Sequence, residues 1–454
     1  MSAINQYIDL YRAHHAIIEQ HSRPVINDRR ETALNTLLSS CLPRRGDEGY
    51  KYTDVNEMFS PDLGVNITRV PFHADVARAF KCDVPNISTS QIIITNDMLQ
   101  ETRGLDMLPD GVTVCTFARA ETECPGVLER YYGMIADNGS PAVALNTLLC
   151  QDGILIHVAR GVHCQRPIQL VNLLAASVPM LVSRRLLIVL EQDAECTLLT
   201  CDHTHAQSVA STISQVTEID LAPGSSLRFY ALEESNATTS RISTVQARVD
   251  TMARLALSPI ILTSGRSRSN INVELNGRQA DCRIYGLATT SDTQIADISS
   301  TLKHNAPHCT SDQLIKYVAD GDSRAAFEGL IRVEYGAHHT EAYQNNRNIV
   351  ASPTARIHTR PQLEIYCDDV KCSHGAATGM LDADALFYMQ SRGIPREQAR
   401  SMLMQAFMCD ILDKVTLEPL RDRLRHLIER RLATMADTDT TADGRALCDR
   451  CGAC

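Results

Sequence analysis

Cys372 and His374 stand two residues apart in the segment 368–379, which reads Asp-Asp-Val-Lys-Cys-Ser-His-Gly-Ala-Ala-Thr-Gly. In an extended chain, side chains two apart point to the same face. The thiol and the imidazole would then lie side by side, with Lys371 and Ser373 turned the other way. A soft thiolate beside a borderline imidazole suits iron, zinc or a cluster fragment. Two ligands cannot close a four-coordinate site, so further ligands must come from elsewhere, another chain included. A small buried thiol accounts for Cys372 equally well. A second thiol group ends the sequence, Cys448-x-x-Cys451-x-x-Cys454. It repeats the first three ligands of the bacterial ferredoxin run and has no fourth. Labile binding of zinc or iron is one reading of it, and a mobile reduced tail is the other. The histidine pairs are weaker. His304, His308 and Cys309 would share a helical turn, but Pro307 disfavours a helix there. His338 and His339 are adjacent and point apart in a strand, while His203 and His205 share a strand face. These histidines are read as structural or solvated.

The whole chain sets limits on this chemistry. With 454 residues it can bury a large core in two or three domains. A net charge of −10 argues against nucleic acid as a main partner. Residues 1–20 have no apolar run of the secretory type. The most apolar stretch, residues 168–182, is broken by Gln169, Asn172, Ser177 and Pro179, which excludes a membrane helix. The expected compartment is the cytoplasm, where 16 dispersed cysteines stay reduced. No G-x-x-x-x-G-K-[ST] loop, no G-x-G-x-x-G after a strand and no G-x-S-x-G elbow is present, so no P-loop ATPase, Rossmann enzyme or hydrolase is expected. A polysaccharide-acting protein would need exposed aromatic platforms, and this chain has no Trp.

The elements that would hold the pair change in texture along the chain. Residues 1–40 show helical spacing in Ile8, Tyr11, Ile17, Ile18 and again in Ala33, Leu34, Leu37, Leu38. Residues 46–136 are mixed, with short strands near 91–95 and 112–117. From 142 to 364 short β-rich runs alternate with turns, and helical periodicity is largely missing. An apolar-x-apolar pair followed by Gly or Ala recurs at Ile219/Leu221/Gly224, Val249/Ala253, Val273/Leu275/Gly277 and Ile331/Val333/Gly336. The first three lie about one coil apart, the mark of a stacked β-solenoid rather than a sandwich. After Gly379 the pattern turns helical. Asp382 caps a helix that Gly393 ends, and Pro395 opens another. There Ala399, Met402, Leu403, Ala406, Phe407 and Ile411 form a stripe. Leu420, Leu424, Leu427, Ile428 and Leu432 form a third helix through about residue 435. The predicted organisation is a helical and mixed domain over 1–140, a β-solenoid over 141–380, a helical domain over 381–435 and a disordered cysteine-containing tail over 436–454.

The same stretch resembles a known family. Residues 366–379, Leu386-Phe387-Tyr388 and Ser391-Arg392-Gly393-Ile394 are similar to the C-terminal signature of the SufD family of iron–sulfur cluster assembly proteins. His304-x-x-Pro307, Ser311-x-Gln313-x-x-Lys316, Phe327-Glu-Gly329 and Thr340-x-Ala-x-Gln344-x-Asn346 follow the family order. Leu42-Pro43 through Glu48-Gly-Tyr50-Lys51-Tyr52-Thr53 resembles its N-terminal stretch, with Tyr50 where Trp is common. The sister SufB family carries its cysteine in a different context. The resemblance implies a right-handed parallel β-helix between an N-terminal α/β domain and a C-terminal helical domain. It implies a non-enzymatic scaffold subunit that pairs with SufB through the solenoid and docks the ABC-type ATPase SufC through the helical end; alone, the chain could pair with itself. His374, with Cys372 beside it, would serve cluster assembly at the SufB interface, the iron–sulfur cluster being a transient, shared cargo. Phe387, Tyr388, Arg392, Gly393 and Phe407 would face the ATPase. A cysteine-rich metal-binding or redox-sensing protein is the alternative.

Overall fold

The computed structural model describes residues 3–72, 74, 88–136, 139–205 and 209–448. Its centre is a parallel β-helix built from two facing sheets. One sheet holds, in spatial order, β2 (Met98–Arg103), β1 (Ser90–Thr95), β5 (Ile168–Leu174), β7 (Glu195–Thr204), β9 (Ser226–Glu234), β11 (Arg254–Thr263), β13 (Asp281–Thr290), β15 (Thr310–Ala319), β17 (Thr340–Val350) and β19 (Val370–Met380). The other holds β3 (Val112–Thr116), β4 (Ile154–Val158), β6 (Leu181–Leu190), β8 (Ser211–Leu221), β10 (Thr239–Val249), β12 (Arg266–Leu275), β14 (Ile295–His304), β16 (Arg324–Val333) and β18 (Arg356–Ile365). From β4 onward each coil contributes one strand to each sheet, so even strands stack on even and odd on odd.

Period-two alternation sends every second side chain inward, and register puts like on like. The apolar landmarks of the sequence fall in one interior column: Val158, Leu190, Leu221, Val249, Leu275, His304, Val333 and Ile365. His304 takes the place where the apolar repeat skips. It is fully buried, and its Nε2 lies 2.9 Å from the Ser311 hydroxyl. Burial pushes its pKa down to about 4.

One corner of the coil is a ladder of left-handed residues. Gly161, Asp193, Gly224, Met252, Gln279, His308 and His339 all have positive φ, about thirty residues apart. Each donates its amide to a carbonyl of the next coil, as in Met252 N to Arg278 O at 2.9 Å and His308 N to His338 O at 2.8 Å. A non-glycine residue there costs about 1–2 kcal/mol, which the inter-coil bond offsets. His338 and His339 therefore sit in a turn, not in the strand expected from the sequence. At Gly277 an added Cβ would overlap the Thr251 backbone nitrogen, so the glycine of that landmark is required by close approach of two coils.

The N-terminal region packs on the outer face of the even-numbered sheet. Its helices are α1 (Ile4–Gln20), α2 (Pro24–Asn27), α3 (Arg30–Ser39), α4 (Val55–Met58), α5 (Phe117–Glu123), α6 (Val127–Tyr131) and α7 (Pro141–Leu149). A buried ion pair within the sheet, Arg185 Nη2 on β6 to Glu218 Oε1 on β8 at 2.6 Å, holds the carboxylate that ties this region down. Glu218 also accepts the amides of Gly133, Ile135 and Ala136 at 3.0–3.2 Å. The sequence boundary at 140/141 is not a physical seam. β1 already pairs in parallel with β5, and α7, placed by the sequence in the β region, is a buried helix.

The C-terminal helices are α8 (Ala383–Ser391), α9 (Arg396–Leu412) and α10 (Glu418–Cys448). The last two cover the outer face of the odd-numbered sheet, packing on Leu199, Tyr230, Leu232, Ile260 and Leu287. The stripe on α10 is buried as read, but that on α9 is rotated: Ala399, Met404, Met408 and Ile411 are buried, whereas Met402 and Ala406 face outward. The sheet selects the 404/408/411 ridge because one face of a helix spans i, i+4 and i+7 positions. α10 also continues through Cys448, past the point where the sequence reading began a disordered tail. No proline follows Pro419, and Ala442, Arg445, Ala446 and Leu447 all favour helix. Among the described residues no helix is long and apolar enough to cross a membrane.

Candidate functional site

The two ends of the β-helix differ. At the N-terminal end, the sheets finish in β2 and β3, short strands of 6 and 5 residues that run antiparallel to β1 and β4. At the other end, β18 and β19 each have a single strand neighbour. β19 is 11 residues long and carries Gly375, Ala376, Ala377, Thr378 and Gly379 without a charge. An edge segment without charge or proline, as in this second half of β19, is a template for another chain.

Cys372 and His374 lie on this edge strand. They are in register with Ala342 and Gln344 of β17, both fully buried and interior. The pair thus shares the inward-facing side of the last coil, while Lys371 turns outward to Glu341 at 2.9 Å. Cys372 is half-buried against the interior core, and that burial pushes its thiol pKa up. His374 has no coil above it and is exposed. The interior beneath it changes character along the column Ile168, Leu198, Phe229, Leu257, Ile284, Gln313, Gln344, His374. Five apolar residues give way to two buried amides and then the imidazole. Gln313 accepts from the Ser300 hydroxyl at 2.8 Å, whereas both amide atoms of Gln344 lack a protein hydrogen-bond partner. Orphaned buried amides call for water or for a group brought from outside. The mouth of the last coil is polar, open and lined by one thiol and one imidazole. Such donors fit an iron–sulfur cargo, though alone they do not enclose it.

The other sequence candidates are spread apart. Among the described residues no three His, Cys, Asp or Glu side chains come together in a metal-holding arrangement. His203 is buried, its Nδ1 3.8 Å from Glu234. His338 and His339 do point apart. His338 Nδ1 lies 3.2 Å from Cys367 Sγ, and His339 stacks on His308 with ring centres 4.6 Å apart and pairs with Asp369 at 3.0 Å. Cys367, one residue before segment 368–379, has no His within ligand spacing upstream; only a turn that stacks coil on coil brings it to His338. Cys448 is the last residue of α10, and Cys451 and Cys454 lie outside the described residues.

The helical candidates divide in two. α8 buries none of its residues. Phe387 is 73% and Tyr388 58% exposed, beside Met380 at 72% and Met402 at 43%. Asp382 caps α8 by accepting the amides of Asp384 and Ala385, and Gly393, at φ +85°, ends it. Arg392 lies over the Tyr388 ring at 5.2 Å. Phe407 instead packs within the molecule. The Lys316 ammonium sits 4.3 Å above its ring, donates to its carbonyl at 2.6 Å and pairs with Asp410.

The molecule is a parallel β-helix with a thiol–imidazole pair on the edge strand of its last coil, followed in sequence by a helix with exposed aromatics. Family models agree with this description. Residues 173–407 match the SufBD core domain of the SUF system for iron–sulfur cluster assembly, and residues 1–170 match the SufBD N-terminal region. The chain belongs to the SufBD family of iron–sulfur cluster assembly proteins. Within that family its likeness is to SufD: it is 38% identical to SufD of Escherichia coli over 165 residues, 36% of this chain and 39% of that protein. It is 29% identical over 427 residues to an iron–sulfur cluster assembly SufBD family protein of Synechocystis, covering 92% of this chain and 93% of the relative. It is also 26% identical over 412 residues to the chloroplastic protein ABCI7 of Arabidopsis thaliana, covering 88% and 85%.

Proposed function

We propose that this chain is a non-enzymatic cytoplasmic subunit of a SUF scaffold. It pairs with SufB through the last coil of the β-helix and docks the SufC ATPase through α8 and the start of α9. His374, with Cys372 as the second donor, forms half of a cluster-assembly site that ligands on SufB complete. The observation that carries this reading is the position of both donors on β19, the edge strand with one open side. Pairing there extends a sheet and brings the partner's side chains to the polar mouth in one step. The exposed Phe387–Tyr388 face supports the docking half, because contiguous exposed aromatics mark interaction sites. The two halves are tested separately. With His374→Ala, the assembled complex is expected to keep its composition and lose most of its cluster yield, read by absorbance and iron content. Full yield from an intact complex would remove the ligand role. For docking, Phe387→Ala with Tyr388→Ala is the clean perturbation. Deleting residues 381–454 would also strip the apolar cover from the odd-numbered sheet. Undiminished co-purification of the ATPase with the double variant would overturn the docking face.

A further inference from the structure

A second reactive arrangement lies far from the β-helix mouth, where the N-terminal region meets the first coils. Cys124 follows α5, His157 stands on the outward face of β4, and Glu191 follows β6. Cys124 Sγ is 3.7 Å from His157 Nδ1, and His157 Nε2 is 3.0 Å from Glu191 Oε1. The other Glu191 oxygen accepts the Arg160 amide at 3.1 Å, which holds the carboxylate in place. A carboxylate only accepts, so Nε2 carries the ring proton and Nδ1 presents its lone pair to the thiol. This is the order nucleophile, base, orienting group that activates a thiol. The surroundings separate this cysteine from its neighbour. Cys115, in the same apolar cluster, has its thiol pushed up to about 12, chiefly by burial and then by Glu123. Cys124 is only 8% exposed but lies between exposed Glu123 and Pro125, and the next residue, left-handed Gly126, has open space around it.

We propose that Cys124 is an activated thiol, with His157 as its proton acceptor and Glu191 fixing the ring, that exchanges with low-molecular-weight disulfides. The Cys124 thiol proton passes to His157 Nδ1, and the thiolate attacks one sulfur of the external disulfide. A new S–S bond forms to Cys124 as the external S–S bond breaks. The departing thiolate takes the proton from His157, so that one thiol and one disulfide give one thiol and one mixed disulfide with no net redox change.

The test uses the full-length chain and site-resolved iodoacetamide alkylation at about pH 6.5, with exposed Cys41 as the internal reference. An ordinary thiol is about 1% ionised there. Because the thiolate is the form that attacks, a base in contact that takes the proton during attack raises the rate, while a less basic thiolate is also a weaker nucleophile. Cys124 is therefore expected to react ~10-fold faster than Cys41. His157→Gln should abolish the excess, and Glu191→Gln, at a half-exposed site that leaves the core intact, should reduce it about threefold, with Cys41 unchanged in both. Incubation with oxidised glutathione should place the mixed disulfide on Cys124 ahead of Cys41. A Cys124 rate no higher than that of Cys41, a rate indifferent to both substitutions, or glutathione on Cys41 and not on Cys124 would overturn the proposal.

Discussion

Replacing His304 by Leu should make the β-helix more resistant to acid. His304 occupies a column whose neighbours above and below are Val333 and Leu275, and it is fully buried. Its folded pKa is lowered to about 4, with burial as the cause. In the unfolded chain it titrates near 6.5. Because the folded pKa is the lower one, the contribution of the neutral ring to stability is complete above about pH 6.5 and is lost as pH falls towards about 4. Between those limits the unfolded state binds a proton that the folded state refuses. Linkage gives a loss of roughly 2 kcal/mol between pH 7 and pH 5, and roughly 3 kcal/mol once pH is below both values. Leucine removes that penalty. It also removes the bond to Ser311, which should cost about 1 kcal/mol at neutral pH. Urea unfolding of both proteins at about pH 7 and about pH 5 reads the difference. The variant should be the less stable at neutral pH and the more stable in acid. Equal acid sensitivity in the two proteins would refute the reasoning, since it would mean that His304 takes up a proton in place.

Two further outcomes follow from features outside the mouth. Arg185→Leu leaves Glu218 buried without its counter-charge, which should destabilise the protein by about 3–5 kcal/mol; hydrogen exchange at the Gly133, Ile135 and Ala136 amides should rise first, and unchanged protection there would refute the tie. A chain ending after Thr441 lacks Cys448, Cys451 and Cys454, and should bind less zinc or iron in isolation; equal metal content in the full-length and shortened chains would leave the tail as a plain helix extension.

The coil repeat was legible because parallel strands stack identical positions, so Leu221, Val249 and Leu275 announce themselves at one-coil spacing. It broke where His304 replaced the apolar member, and no local rule predicts a fully buried histidine. The topology of residues 46–136 was not legible. β1 finds its partner β5 nearly eighty residues on, and β2 and β3 run antiparallel rather than as coils. On α9, the stripe read from apolar residues alone included Met402 and Ala406, whereas contact with the sheet selected Met404 and Met408. At the site, alternation alone put Cys372 and His374 on one face. The orphaned amide of Gln344 beneath them needed the register, and so did the Cys124–His157–Glu191 set, whose members come from three elements more than thirty residues apart.

The unequal ends of the β-helix also govern how far association can proceed. A solenoid open at both ends could add copies at each and grow without limit. Here one end finishes in the short antiparallel strands β2 and β3 rather than in a coil, so the two ends do not match. Two molecules meeting through their last coils about a two-fold axis would use the same edge on both and leave only the short antiparallel edges outside. A two-fold union of that kind closes on itself, whereas a head-to-tail one would seed a filament.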